Sequence, residues 1–188
     1  MSKKRPQQQL LDEQLKVKKE FGGSLLKKSH AKTSRPISTK QAMHLTLRSS
    51  LAKGERSFLA TRVRSKLIEE KIRINAKKFG VQIYRYANVG NHLHLLVRPT
   101  YRRGFISFLR AISGVIARIA LGVERGQARS SEASQLAPES IQFWDQRPWT
   151  RVLAWMADFI NVRKYVNQNF NEAMGFLPYR PRKYSSTA

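Results

Sequence analysis

Val89-Gly90-Asn91-His92-Leu93-His94-Leu95-Leu96-Val97 is a β-prone run that carries two of the chain's four histidines one residue apart. On a strand, alternate side chains point to opposite faces. His92 and His94 therefore share one face, and Leu93, Leu95 and Val97 share the other. Burial of the three apolar residues anchors the strand and holds the two imidazoles side by side, an arrangement suited to giving two nitrogen ligands to one metal ion.

Working outward, Val81-Gln82-Ile83-Tyr84-Arg85-Tyr86 alternates in the same way, and Asn88 to Asn91 supplies a turn, so the histidine strand is the return arm of a hairpin. Ser57 to Phe79 reads as a helix that would turn Phe58, Val63, Leu67, Ile74 and Phe79 toward a core, with Gly80 as its stop. Met43 to Arg48 (MHLTLR) alternates and is the first strand of the domain. Beyond Pro99, Gly104 to Leu121 is an apolar helix bearing Phe105, Phe108, Leu109, Ile112, Ile116 and Ile119. Gly122 to Ser140 has loop composition. Ile141 to Thr150 is expected to be a short strand, and Pro148 makes it an edge or irregular one. A last helix is expected from Val152 to about Phe170. The order β-α-β-β-α-β followed by a C-terminal helix is the ferredoxin-like α+β pattern. The domain is assigned to residues 41–177. Residues 1–40 form a basic extension with one short helix expected at Gln9–Phe21, and residues 178–188 form a basic tail.

Composition narrows the class of partner. Thirty-six Lys and Arg against 12 Asp and Glu give a formal net charge of +24, while apolar content of 41% is that of a folded protein. So large a positive excess repels itself unless a polyanion is present, and nucleic acid is the expected partner. No run approaches ~18 uninterrupted apolar residues, and the N-terminus lacks the apolar centre of a signal peptide, so a cytoplasmic, nucleoid-associated protein without a membrane partner is expected. The chain has no cysteine, which excludes disulfides and thiolate metal sites.

The last helix carries a second signal. At ~100° per residue, Val152, Trp155, Met156, Phe159, Val166 and Phe170 share a broad apolar stripe. Asp158, Asn161, Tyr165 and Asn169 fall together on a different, polar stripe. Tyr165 thus lies off the expected core face with an amide one turn beyond it. It reads either as an amphipathic tyrosine at the edge of the core or as a nucleophile with Asn169 beside it. Without cysteine, and with few acidic residues nearby, the histidine pair is a poor structural zinc site. It suits a labile divalent ion, Mg²⁺ or Mn²⁺, with positions left open for phosphate oxygens. His44 on the first strand is either a fourth contributor, a structural residue or a DNA contact.

Together these stretches resemble a known family. Asn-His-Leu-His-Leu-Leu-Val is similar to the HUH motif (His, hydrophobic, His) of the single-tyrosine transposases, in particular the REP-associated tyrosine transposases. HLTLRSS, VQIYRYANVGNHLHLLVRP, FWDQRPWTRVL and YVNQN match the family in type and order, over about Met43 to Phe176. Gly90 stands where proline is frequent in that family. The resemblance implies an HUH endonuclease-type fold with a C-terminal catalytic helix. It also implies Tyr165 as catalytic nucleophile, and His92, His94 and Asn169 as metal ligands. The implied reaction is phosphoryl transfer on single-stranded DNA at hairpins, through a covalent 5′-phosphotyrosine. Arg48, Arg85, Arg98, Arg102, Arg103, Arg147 and Arg151 flank the expected strands as candidate phosphate contacts. Tyr101, Trp144 and Trp149 are candidate stacking platforms, each such contact being worth about 1–3 kcal/mol. The competing readings are a non-catalytic hairpin-DNA- or RNA-binding protein on the same fold and a ribosome-associated basic protein. Relatives occur as monomers and as dimers, so the sequence leaves oligomeric state open.

Overall fold

A computed structural model describes residues 20–22, 34–123 and 142–180. Five strands form one antiparallel sheet. They are β1 (Glu20–Phe21), β2 (Met43–Arg48), β3 (Val81–Asn88), β4 (His92–Pro99) and β5 (Trp149–Val152), in the spatial order β1-β5-β2-β4-β3. Helices α1 (Arg62–Lys78) and α2 (Arg102–Leu121) connect β2 to β3 and β4 to β5, and α3 (Ala157–Ala173) follows β5. Without β1, the strand order and connections are those of the ferredoxin-like fold.

Alternation along each strand divides the sheet into two faces. Met43, Leu45 and Leu47 of β2 and Leu93, Leu95 and Val97 of β4 join Ile68 and Ile72 of α1 and Phe105, Phe108, Ile112 and Ile116 of α2 in the main core. The length and composition of α2 alone would suffice to cross a membrane, but Phe105, Phe108, Leu109, Ile112 and Ile116 are buried in this core. The opposite face carries α3. There Leu96, Ala42 and Leu153 form a smaller cluster with Tyr84, Phe159 and Val162. A β-bulge between Ile83 and Arg85 serves this second layer. It turns Tyr84 toward Trp155 and Phe159, and Arg85 toward the ring of Phe170, which its guanidinium overlies at 5.5 Å.

The β3–β4 turn is tied to the rest of the domain. Gly90 sits at φ +86°, a left-handed conformation closed to proline, so this turn differs from one built with proline at that position. Its backbone N–H donates to Asn88 Oδ1 (3.0 Å), and its carbonyl accepts from Phe58 N (2.7 Å). The turn that precedes His92 is thereby fixed to the segment entering α1.

Several boundaries depart from the sequence expectation. α1 begins at Arg62, where the Thr61 hydroxyl caps the helix by accepting from Arg64 N (3.1 Å). Phe58 is buried ahead of it, and the buried stripe is Ile68, Ile72 and Ala76. Val63 (76% exposed) and Ile74 (51%) face solvent because they lie on the opposite side of the helix from that i, i+4, i+8 stripe. The fourth strand of the ferredoxin-like unit is confined to Trp149–Val152. Upstream of it, Phe143 and Trp144 pack under the core instead. α3 starts at Ala157 because Val152 is still paired with Met43, and Met156 at φ +71° breaks the chain direction. Trp155 and Met156, assigned to the apolar stripe, are therefore exposed. The C-terminal end of the expected helix Gln9–Phe21 is a strand, since Glu20 and Phe21 pair with Arg151 and Thr150. The remainder of that helix, most of the Gly122–Ser140 loop and the tail beyond Arg180 lie outside the described residues.

Candidate active site

The sheet register builds the site. His44 is opposite Leu96 on one side and Arg151 on the other; Thr46 is opposite His94 and Trp149; Arg48 is opposite His92. Because β5, β2 and β4 are adjacent, one face of the sheet presents His44, Thr46 and Arg48, then His92 and His94, then Trp149 and Arg151. Val162 and Tyr165 of α3 and Gln146 complete the walls of a cavity of about 660 Å³. Tyr165, far from the histidines in sequence, is thus delivered by α3. Its ring is 5.5 Å from His94 and 6.0 Å from His44, edge-on to both.

Each histidine has a defined neighbour. His92 Nδ1 lies 2.6 Å from Asn91 Oδ1. An amide oxygen can only accept, so Nδ1 carries a proton, and in the neutral ring Nε2 holds the lone pair. His94 Nδ1 lies 3.1 Å from His44 Nε2 and 3.3 Å from Thr46 Oγ1. His44 is buried (6% exposed) beneath this pair, edge-on to Trp149 at 5.2 Å. Burial, reinforced by the Arg151 guanidinium, lowers its pKa to about 4, so its ring is neutral near pH 7.

The donor set fits a labile divalent ion. Two imidazoles and neutral oxygens, with no carboxylate, would leave several coordination positions to a substrate. Among the described residues no three His or carboxylate side chains gather as a metal cluster, and His44 Nε2 is turned to His94 Nδ1. Asn169 is buried (3% exposed), and its Nδ2 donates to the Tyr165 carbonyl (2.7 Å), which turns Oδ1, the ligand atom of an amide, away from that carbonyl. Asn169 is not part of the cavity wall, whereas Tyr165 is.

The candidate DNA contacts separate into groups. Arg48, Arg151 and Trp149 line the cavity. Arg48 lies 3.9 Å from Asp145, and Arg151 is paired with Asp158, whose other oxygen accepts from Ala154 N (3.0 Å) at the start of α3. Arg147 adjoins Arg35, whose pKa is lowered to about 10 by burial and then by the Arg147 charge. Arg35 stacks over Phe21 and donates to Pro148 O (2.8 Å) and Thr150 Oγ1 (2.6 Å), which attaches β1 to the sheet edge. Arg98 donates to Gln82 Oε1 (3.1 Å) and Arg102 to Arg35 O (3.1 Å). These two, with Arg103 and Tyr101, belong to the end of β4 remote from His92 and the start of α2, outside the cavity wall. Arg85 is engaged with Phe170, and Trp144 donates to Ser113 O (3.1 Å) and packs on Phe143 and Phe58. Thr46, Gln146 and the Asn91–His92 bond were not anticipated. The alternation of HLTLR carries the signal for Thr46, while Gln146 lies in an irregular segment with no such signal.

No family model matches the chain, and no curated protein does. Among solved structures, a REP-associated tyrosine transposase bound to a REP hairpin is similar with a TM-score of 0.50 at 15% identity, over 78% of this chain and 74% of that one. A candidate transposase from Deinococcus radiodurans R1 aligns with a TM-score of 0.39 at 17% identity, over 74% of this chain and 98% of that one. At such identity the first likeness is one of fold. The chain shares its ferredoxin-like α+β architecture, an antiparallel sheet with helices on both faces, with that transposase structure.

Proposed function

We propose that the protein is a transposase-like, metal-dependent single-strand DNA endonuclease and strand transferase that cleaves at DNA hairpins through a covalent 5′-phosphotyrosine on Tyr165. The observation that carries this reading is the convergence of Tyr165 with His92 and His94 in one arginine-bearing cavity. The HUH-type fold and the net charge of +24 support it. A hairpin with a single-stranded flank is the proposed ligand, in line with the hairpin held by the structural neighbour, and the bacterial nucleoid the proposed location.

In this reading Arg48 and Arg151 bind phosphates at the cavity walls, and Trp149 stacks on an unpaired base. His92 and His94, with Asn169 Oδ1, would hold Mg²⁺ or Mn²⁺. A bound divalent ion would polarise the non-bridging oxygens of the scissile phosphate and offset charge that builds up during transfer. The Tyr165 oxygen attacks phosphorus, the bond from phosphorus to the 3′-oxygen breaks, and the 5′-phosphate remains on the tyrosine. The phenol gives up its proton to solvent, and the departing 3′-oxygen takes one up, so the step is balanced. Because the phosphodiester bond is exchanged rather than hydrolysed, another 3′-hydroxyl can reverse the reaction and join strands.

The test is incubation of labelled hairpin DNA from the gene's flanks with Mn²⁺ or Mg²⁺, comparing wild type with Tyr165→Phe. A protein–DNA adduct formed by wild type alone is expected. Tight binding by both proteins with no adduct under either metal would replace this reading with that of a hairpin-binding protein.

A further inference from the structure

We propose that His44 is a positioning residue whose Nε2 accepts the Nδ1–H of His94 and so fixes His94 in the tautomer that presents Nε2 as a ligand. The inference deepens the metal-site reading above and rests on it for its functional meaning. Its structural content can be tested independently.

A hydrogen bond between two neutral imidazoles contains one proton, and the 3.1 Å contact of His44 Nε2 with His94 Nδ1 can be arranged in two ways. If His44 donates, the remaining proton of His94 is on Nε2, and that nitrogen has no lone pair for a cation. If His94 donates, its Nε2 is a ligand. The same logic already applies to His92, where Asn91 Oδ1 can only accept and Nε2 is left as the ligand nitrogen. The two histidines act as a matched pair only when His94 donates as well. A ligating histidine characteristically donates its other N–H to a fixed acceptor in this way, and loss of that acceptor typically weakens metal binding 10- to 100-fold.

His44 is built to be such an acceptor. It sits on β2, diagonal to His94 across the β2–β4 pair, with the two rings side by side and nearly parallel, their centroids 5.3 Å apart and their planes at 24°. Trp149 and Tyr165 meet its ring edge-on, which restricts its rotation. Thr46 Oγ1, at 3.3 Å from the same Nδ1, is a freely rotating hydroxyl that can either donate or accept, so it follows the His94 tautomer without selecting it.

The experiment uses the full chain without metal, ¹⁵N-labelled at histidine. Long-range ¹H–¹⁵N spectra report the tautomer of each ring, and Mn²⁺ affinity is then measured by electron paramagnetic resonance. Wild type should show His94 protonated at Nδ1. His44→Phe should lose that preference and bind Mn²⁺ about 10- to 100-fold more weakly. His44→Gln, whose amide oxygen can reach the position of Nε2, should restore affinity to within a few-fold. His94 protonated at Nε2 in wild type would overturn the inference, and that measurement needs no variant to fold. So would wild-type tautomer and affinity in His44→Phe. If wild type shows the Nδ1–H tautomer but binds no Mn²⁺, the positioning contact stands and the metal-dependent function fails.

Discussion

The ring of Tyr165 on α3 meets that of His94 on β4 edge-on, with centroids 5.5 Å apart and planes at 86°. One turn further along α3, the Asn169 side chain donates back to the Tyr165 carbonyl. Asn169 therefore has a structural role in addition to any role as a ligand. Asn169→Ala should lower stability by about 0.5–1.5 kcal/mol, the usual worth of such a bond, and should also reduce metal-dependent adduct formation. Hairpin binding, measured at protein concentrations where the variant is folded, should be retained. A parallel loss of hairpin binding would assign Asn169 to the fold alone.

The phase of α1 can be checked by a pair of truncations. Ile72 is buried in the core and Ile74 is 51% exposed. Ile72→Ala should cost about 2–5 kcal/mol in urea unfolding, and Ile74→Ala about 0.5 kcal/mol or less. Equal costs would contradict the observed helix face.

Arg48 and Arg151 differ in what they hold. Arg48 has a side chain 55% exposed beside Asp145, while Arg151 anchors Asp158 at the start of α3. Affinity for single-stranded DNA should fall with salt at a log–log slope of about −0.7 per phosphate contacted. Arg48→Ala should make that slope about 0.7 shallower and leave thermal stability near wild type. Arg151→Ala should change slope and melting temperature together, because it removes the partner that fixes Asp158.

Tyr86 gives the fold a pH signature. Burial, and then the charge of Glu69, push its hydroxyl above the ordinary tyrosine range. In the unfolded chain it would ionise near ~10, so above that pH the folded state binds the extra proton. The contribution of Tyr86 to stability is therefore complete below about pH 10 and declines as pH rises, by at most about 1.4 kcal/mol per pH unit. Urea unfolding at pH 8, 10 and 11 should show a shallower decline for Tyr86→Phe than for wild type; identical slopes would place the hydroxyl in solvent.

The pattern of alternation in MHLTLR, VQIYRY and HLHLLV was enough to place three strands, to pair His92 with His94 on one face and to put Leu93, Leu95 and Val97 on the other. A strand's period of two is a local property, legible without knowledge of its neighbours. Helix phase was not legible in the same way. Val63 and Ile74 are as apolar as Ile68 and Ile72, and only the position of the sheet and α2 determined which stripe was buried. Likewise, a strand pairing that continues to Val152 moved the start of α3 to Ala157, later than the Val152 at which its apolar periodicity begins. The position of His44 beneath His94, the direction of the Asn169 amide and the attachment of Phe21 through Arg35 depend on strand register and on contacts between segments distant in sequence. Those relationships exist only once the chain has closed on itself, so it was the tertiary structure that decided them.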